Sequence, residues 1–331
     1  MRNTIFTLDI QLFATSTPAY EVTKTTTSEM SPTMKTFYNK SLLENAREES
    51  VFNQFAMPTP MTHGKTAEWR RWKTFAPALT PLQEGVVPEG KTFGMEYITA
   101  SISFHGDFTP ITHELEVTAY DPVIFGATEE MGAAGAETED ILTRNALLAG
   151  TNVVYGGSAT SIATVEATHV LTPALVNKVA TYLKKMRAPK INGAYVCLIH
   201  PSVAYDLRES NEWKEYHKYN DTTPIFKGEI GMLHGIRFIE TNFAAVETGT
   251  KTKVYSTIFF GRDAFGALDL EGAGMEMIIH DKSEVGGPLD QWGTVGYKFA
   301  HGAKILYEER IVNVRVGSSL NADDDVNYTR A

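Results

Sequence analysis

Trp69-Arg70-Arg71-Trp72-Lys73-Thr74-Phe75-Ala76 and Tyr97-Ile98-Thr99-Ala100-Ser101-Ile102-Ser103-Phe104 are the stretches on which the reading of this chain turns. In the first, Trp69, Arg71, Lys73 and Phe75 alternate with Arg70, Trp72, Thr74 and Ala76. In the second, Ile98, Ala100, Ile102 and Phe104 alternate with Tyr97, Thr99, Ser101 and Ser103. A period of two is the mark of a strand. Between the two runs lie Pro77, Pro81, Gly85, Pro88, Gly90 and Gly94, in a connection longer than the ~12–15 residues usual for a loop without structure of its own. The pattern predicts a projecting hairpin that buries too little of itself to be stable alone, so a neighbouring subunit is its expected platform.

Upstream, residues 15–31 are dominated by Thr, Ser and other small or polar side chains, and residues 1 to about 35 read as an arm that cannot order itself by burial. Phe37, Leu42, Leu43, Val51, Phe52 and Phe55 among helix formers predict a helix over 37–55, which stops before Pro58 and Pro60. Downstream, Asp121-Pro122 is an N-cap with proline at the first helical position, and Gly150 is a C-terminal stop. At ~1.5 Å per residue the helix between them would span roughly 40 Å. Its Gly126, Gly132, Ala133, Ala134, Gly135 and Ala136 suit close backbone approach, so it is expected to be a structural spine. Gly156-Gly157-Ser158 is the candidate boundary after it.

Helix and strand alternate in the second half. Thr172-Pro173 opens a helix with Leu175, Val176, Val179, Leu183 and Met186 on one stripe, and Lys184, Lys185 and Arg187 complement its C-terminal dipole. Strands are predicted at 194–200, 236–239, 253–260, 275–279, 295–299 and 303–316, with a short helix from Pro201 through Leu207. A solvated tail follows at Asp323-Asp324-Asp325.

The chemistry classes are narrowed by composition. With 331 residues and 43% hydrophobic content, the chain can bury a sizeable core. A formal charge of -10 supplies no global pull toward phosphate backbones or anionic lipid, so sequence-specific DNA binding is not expected. Cys197 is the single cysteine and reads as a small apolar strand residue. No signal peptide and no continuous apolar run of roughly 20 residues is visible, which points to synthesis in the cytoplasm and no membrane association.

One motif is conspicuous. Gly85-Val86-Val87-Pro88-Glu89-Gly90-Lys91-Thr92 satisfies the phosphate-loop pattern G-x-x-x-x-G-K-[ST]. A phosphate loop needs a buried strand before it and a helix after it, whose N-terminus faces the anion. Here Thr80-Pro81-Leu82-Gln83-Glu84 precedes it and an alternating strand follows. Pro88 removes an N–H from the cradle, and Glu84 and Glu89 add negative charge, so the segment reads as a hairpin tip. The nine histidines never fall at metal-ligand spacing. His113-Glu114 begins like a zincin helix but has Val117 where the second ligand must be. No catalytic, cofactor-binding or metal site is therefore expected, and no cofactor. Trp69, Arg70, Arg71, Trp72 and Phe75, with Glu84 and Pro88 of the tip, are the candidate subunit-interface residues, because buried Trp and Arg make the strongest interface anchors.

Several separated motifs in one order resemble the major capsid proteins of tailed bacteriophages, of the N-four coat-protein type within the Hong Kong 97 fold. They are Thr7-Leu8-Asp9-Ile10-Gln11-Leu12-Phe13-Ala14, Pro81-Leu82-Gln83-Glu84-Gly85-Val86-Val87-Pro88, and Ile199-His200-Pro201-Ser202-Val203-Ala204-Tyr205-Asp206-Leu207-Arg208 continuing to Trp213. Gly228-Glu229-Ile230-Gly231, Gly235-Ile236-Arg237-Phe238-Ile239-Glu240 and Gly296-Tyr297-Lys298 complete the set. The resemblance implies an α+β fold with an N-terminal arm and short helix (1–60) and an extended loop (61–110). A peripheral domain with the spine helix (111–160) and an axial domain (161–290) follow, and the last strands and tail (291–331) return to the peripheral domain. It further implies a protein made in the host bacterial cytoplasm that self-assembles, through hexamers and pentamers, into an icosahedral virion shell around double-stranded DNA. The first 60 residues are short for an internal scaffolding domain, so a separate scaffolding protein and a portal are the expected partners. An encapsulin-like compartment and a nucleotide-hydrolysing enzyme using Lys91 are the alternatives.

Overall fold

The computed structural model describes residues 51–119, 123–219, 228–285 and 287–320, with the backbone alone over 216–219. In chain order the strands are β1 (Met57–Met61), β2 (Thr66–Trp72), β3 (Met95–Ser101), β4 (Ser103–Thr112), β5 (Val153–Tyr155), β6 (Tyr195–Ile199) and β7 (Glu229–Leu233). After them come β8 (Ile236–Glu240), β9 (Val246–Thr248), β10 (Lys253–Phe260), β11 (Phe265–Leu270), β12 (Glu276–His280), β13 (Trp292–Ile305) and β14 (Ile311–Val316). They form a five-stranded sheet in which β13 pairs with β11, β12 and β4 and β11 pairs with β1. A seven-stranded sheet runs β5-β14-β10-β6-β8-β7, with β9 on β10, and β2 and β3 make a two-stranded hairpin.

The predicted spine is present as a helix over Val123–Leu148; its expected N-cap, Asp121-Pro122, lies outside the described residues. It lies against the five-stranded sheet, and the small residues make that approach possible. A Cβ on Gly135 would stand 3.1 Å from Met275 Sδ and 3.3 Å from the Tyr297 ring. Beside it, Thr138 Oγ1 and Tyr297 Oη share a 3.2 Å hydrogen bond. The C-terminal end of the spine serves the other sheet, where Leu147 and Leu148 are buried with Phe52, Val196, Leu198, Ile258, Phe260 and Phe265.

All five residues of β6 are buried, because both of its faces are covered. Tyr195, Cys197 and Ile199 point into the core made with Val176, Val179 and Leu183 of the helix Pro173–Lys185. Val196 and Leu198 point to the spine side. A continuous apolar run is what a doubly covered strand requires. The helix Pro173–Lys185 opens as predicted: the Thr172 hydroxyl accepts from Leu175 N, and Pro173 needs no partner for an absent N–H. His200 caps the next helix, Pro201–Glu209, its side chain accepting from Ser202 N.

Several expectations change. Of the helix predicted over 37–55, residues 37–50 lie outside the described residues, and the rest holds only a 3₁₀ turn, Asn53–Phe55. Phe52 is fully buried, and Met57–Met61 is a strand parallel to β11, so residues 51–60 belong to the body of the fold rather than to an arm. The single strand predicted over 303–316 is the end of β13, a 3₁₀ turn at Glu308–Arg310, and β14. β14 pairs with β10 and β5, and so lies in the seven-stranded sheet. Residues 265–280, expected within the axial domain, form β11 and β12 of the five-stranded sheet. Gly156 is buried rather than a loose linker: its N–H donates to Arg315 O, and a Cβ there would meet His169 O at 2.5 Å.

Replacing Gly135 by leucine should overpack the spine against Met275 and Tyr297. A loss of about 1–3 kcal/mol in chemical denaturation is expected, with the helix content of the folded state retained.

Candidate assembly surfaces

In the hairpin, Trp69 pairs with Ile98, Arg71 with Glu96 and Trp72 with Met95. Alternation then sorts the candidate residues. Ala67, Trp69 and Arg71 share the face turned to the body, and Glu68, Arg70 and Trp72 share the other. Trp69 donates its indole N–H to Thr59 Oγ1 at 3.0 Å and packs with Met61, Ile102 and Leu268. Arg71 donates Nε–H to Glu96 Oε2 at 2.7 Å, reaches Leu306 O at 3.5 Å, and lies 5.2 Å from the centre of the Tyr307 ring. Arg310 approaches the same ring at 3.6 Å. The base of the hairpin is thus held by its own chain, and Trp69 and Arg71 are internal anchors.

The rest of the hairpin is turned outward. Arg70 pairs with Glu68 and lies over Tyr97. Trp72, 59% exposed, stacks on Phe93 with ring centres 4.1 Å apart, and Phe93 stacks on Phe75 at 5.4 Å. Beyond Lys73 the chain runs without helix or strand to Gly94, turning once at Glu84–Gly85, where Gly85 adopts φ +80°. Glu84 and Pro88 are exposed there. So are four aliphatic side chains absent from the sequence-based candidates: Leu79 (87%), Leu82 (78%), Val86 and Val87 (90%). Their signal was available: apolar residues in a proline-interrupted stretch with no period cannot bury one another. A second exposed pair, Phe104 and Phe108, stands on β4, on the sheet face opposite the spine, with Lys298 Nζ 5.5 Å from the Phe104 ring centre.

The phosphate-loop pattern has the wrong surroundings. No strand leads into Gly85, the element after Thr92 is the strand β3, and Lys91 donates its ammonium hydrogen bond to Ala76 O. Among the described residues no group of three His, Cys, Asp or Glu side chains is placed to hold a metal ion, and no helix is long and apolar enough to cross a membrane. Cys197 is fully buried, and burial raises its thiol well above the ordinary range.

A polar cluster lies inside the body, beside the spine. Asp140, fully buried, accepts at Oδ1 from the backbone N–H groups of Val51, Phe52 and Asn53 at 3.0, 2.7 and 3.3 Å. Its neighbour Glu139 accepts at Oε1 from Asn53 Nδ2 at 2.7 Å and lies 3.7 Å from His301 Nδ1, while the other His301 nitrogen meets Thr143 Oγ1 at 2.9 Å. Burial first, then the charges of Asp140 and Asp269, push the Glu139 carboxyl up to about 7. Burial first, then His105, pulls His301 down to about 4.

Residues 131–276 match the family model described as phage capsid protein. Over this stretch the chain is similar to phage capsid proteins. No curated protein sequence matches it. Among solved structures, it overlays the capsid of Ralstonia phage GP4 at a TM-score of 0.63 and 15% identity, covering 95% of this chain and 100% of that one. The cyanophage P-SCSP1u capsid gives 0.62 and 15%, covering 82% and 89%, and the cyanophage Pam1 capsid gives 0.62 and 12%, covering 93% and 99%. At these identities the likeness is one of fold, and that fold is the α+β, Hong Kong 97-like architecture expected above. With the family match it supports a major capsid shell protein.

The two tryptophans should separate in experiment. Trp69→Ala should lower subunit stability by about 2 kcal/mol or more, since it removes a packed anchor and leaves Thr59 unpaired. Trp72→Ala should stay within about 1 kcal/mol of the parent, as measured by denaturant titration of unassembled subunits.

Proposed function

We propose that the chain self-assembles, through hexamers and pentamers, into an icosahedral head shell around double-stranded DNA. In this reading the outward hairpin surface of Arg70, Trp72, Phe75, Glu84 and Pro88 meets a neighbouring subunit. The observation that carries this is the extended 73–94 connection, whose Leu79, Leu82, Val86 and Val87 are left exposed among the described residues. A contact between a loop tip and a different patch on the next copy is heterologous, and such contacts close into rings and shells when the rotation closes. The five-stranded sheet with its spine corresponds to a peripheral domain and the seven-stranded sheet to an axial one. The net charge of -10 fits a container that leaves its DNA mobile instead of gripping it. The surroundings of Lys91 favour assembly over nucleotide hydrolysis, and the shell itself needs no catalytic site. A separate scaffolding protein and a portal complete the expected partners, with synthesis in the host cytoplasm.

The test is a paired substitution at the tip, Leu82→Ser with Val87→Ser. Because both side chains are exposed in the subunit, the variant should keep the parent's circular dichroism and denaturation midpoint while shell yield, counted by electron microscopy, falls at least tenfold. Normal shells from this variant would remove the tip from the interface. Shells that enclose a protein cargo in place of DNA would move the reading to an encapsulin-like compartment.

A further inference from the structure

The polar cluster beside the spine does something that shell formation does not require. Three successive backbone N–H groups, at the point where residues 1–50 join the described body, converge on one buried carboxylate 88 residues away in sequence from Phe52. This is a helix cap supplied across the fold: the Asp140 side chain satisfies the open N–H groups of the 3₁₀ turn Asn53–Phe55 and its approach. Phe52 is driven home beside it among Leu147, Leu148 and Phe265. The adjacent Glu139 holds the Asn53 side chain, so two consecutive spine residues grip the same three-residue segment.

We propose that Asp140 and Glu139 clip residues 51–53 to the spine and that this clip is proton-sensitive, closed in mild acid and loosening as the medium becomes alkaline. The groups facing Glu139 set the direction. Asp140 comes from its own helix, where Arg144 acts on Asp140; Asp269 comes from β11 and His301 from β13, with His105 of β4 behind His301. Below about pH 7 Glu139 is neutral and accepts the Asn53 hydrogen bond beside Asp140, whose Oδ1 holds three backbone N–H groups. Ionisation puts a further negative charge beside the buried Asp140 and within the field of the exposed Asp269. His301 stays neutral there and offers no counter-charge. Lifting residues 51–53 admits water to Glu139 and relieves that repulsion.

The sign follows from linkage. A carboxyl whose pKa is about 7 when clipped and near 4.5 when solvated favours the clipped state fully below pH 4.5 and loses that contribution as pH rises to about 7. His301 acts the opposite way on global unfolding, losing its contribution as pH falls from 6.5 to about 4, but it stays inside the sheet when only the clip opens. Local opening at residues 51–53 therefore increases with pH even where global stability changes little.

The experiment is amide hydrogen exchange of residues 51–53 in the unassembled full-length subunit from pH 5 to pH 8, with the intrinsic rate divided out. Working on subunits keeps the result separate from success or failure of the shell reading. The opening constant is expected to rise roughly ten- to a hundredfold in the parent and to change less than about threefold in Glu139→Gln, which keeps the acceptor oxygen and removes the proton. A flat parent profile, or a Glu139→Gln profile as steep as the parent's, overturns the proposal. Asp269→Asn, at an exposed position on β11, is a second variant that removes one of the repelling charges without disturbing the core. It should make the parent's slope shallower, and an unchanged slope also overturns the proposal.

Discussion

The fourteen residues of β13 are the constraint around which the five-stranded half of the molecule is arranged. Residues 292–301 take β4 along one edge; on the other edge 294–298 take β12 and 302–305 take β11. Every second residue, Val295, Tyr297, Phe299 and His301, is buried on the side of the spine. A slip of one residue would turn Lys298 into that interface and Tyr297 out of it, so the register is fixed by burial. The spine must then be thin where Tyr297 passes, which is the role of Gly135, and hydrogen-bonding where His301 passes, which is the role of Thr143.

How much of this was legible in the sequence depended on how local the signal was. The hairpin arms, the spine and the helix Pro173–Lys185 carry their own period, caps or stops, and the residues that announce them are neighbours in the chain. Strands β1, β5, β7, β9 and β11 were missed, as was most of β4. The first five are short, and β11 places Gly266 and Asp269 among its apolar residues, which weakens any alternation. The continuous strand read across 303–316 failed because Glu308–Arg310 is a turn with no glycine or proline to announce it. The interface candidates divided for a physical reason: alternation put Trp69 and Trp72 on opposite faces, but only the positions of Thr59 and Leu268 reveal which face meets the body. Asp140, Glu139 and His301 were beyond reach, since a carboxylate that binds amides in a distant segment has no local pattern.

The first strand of the fold carries one more consequence. β1 is Met57-Pro58-Thr59-Pro60-Met61, which among the described residues is an edge strand paired in parallel with β11 alone. The Met61 carbonyl accepts from Glu271 N, so Met57, Thr59 and Met61 are the residues whose polar groups meet β11, and Pro58 and Pro60 fall at the positions that look outward. That border has no N–H to offer at either proline. A protein that must exist in many copies at high local concentration is exposed to indiscriminate growth of sheet upon sheet, and an unblocked border would feed fibres instead of closed particles. The two prolines silence it, so that association is left to side-chain surfaces whose geometry can close.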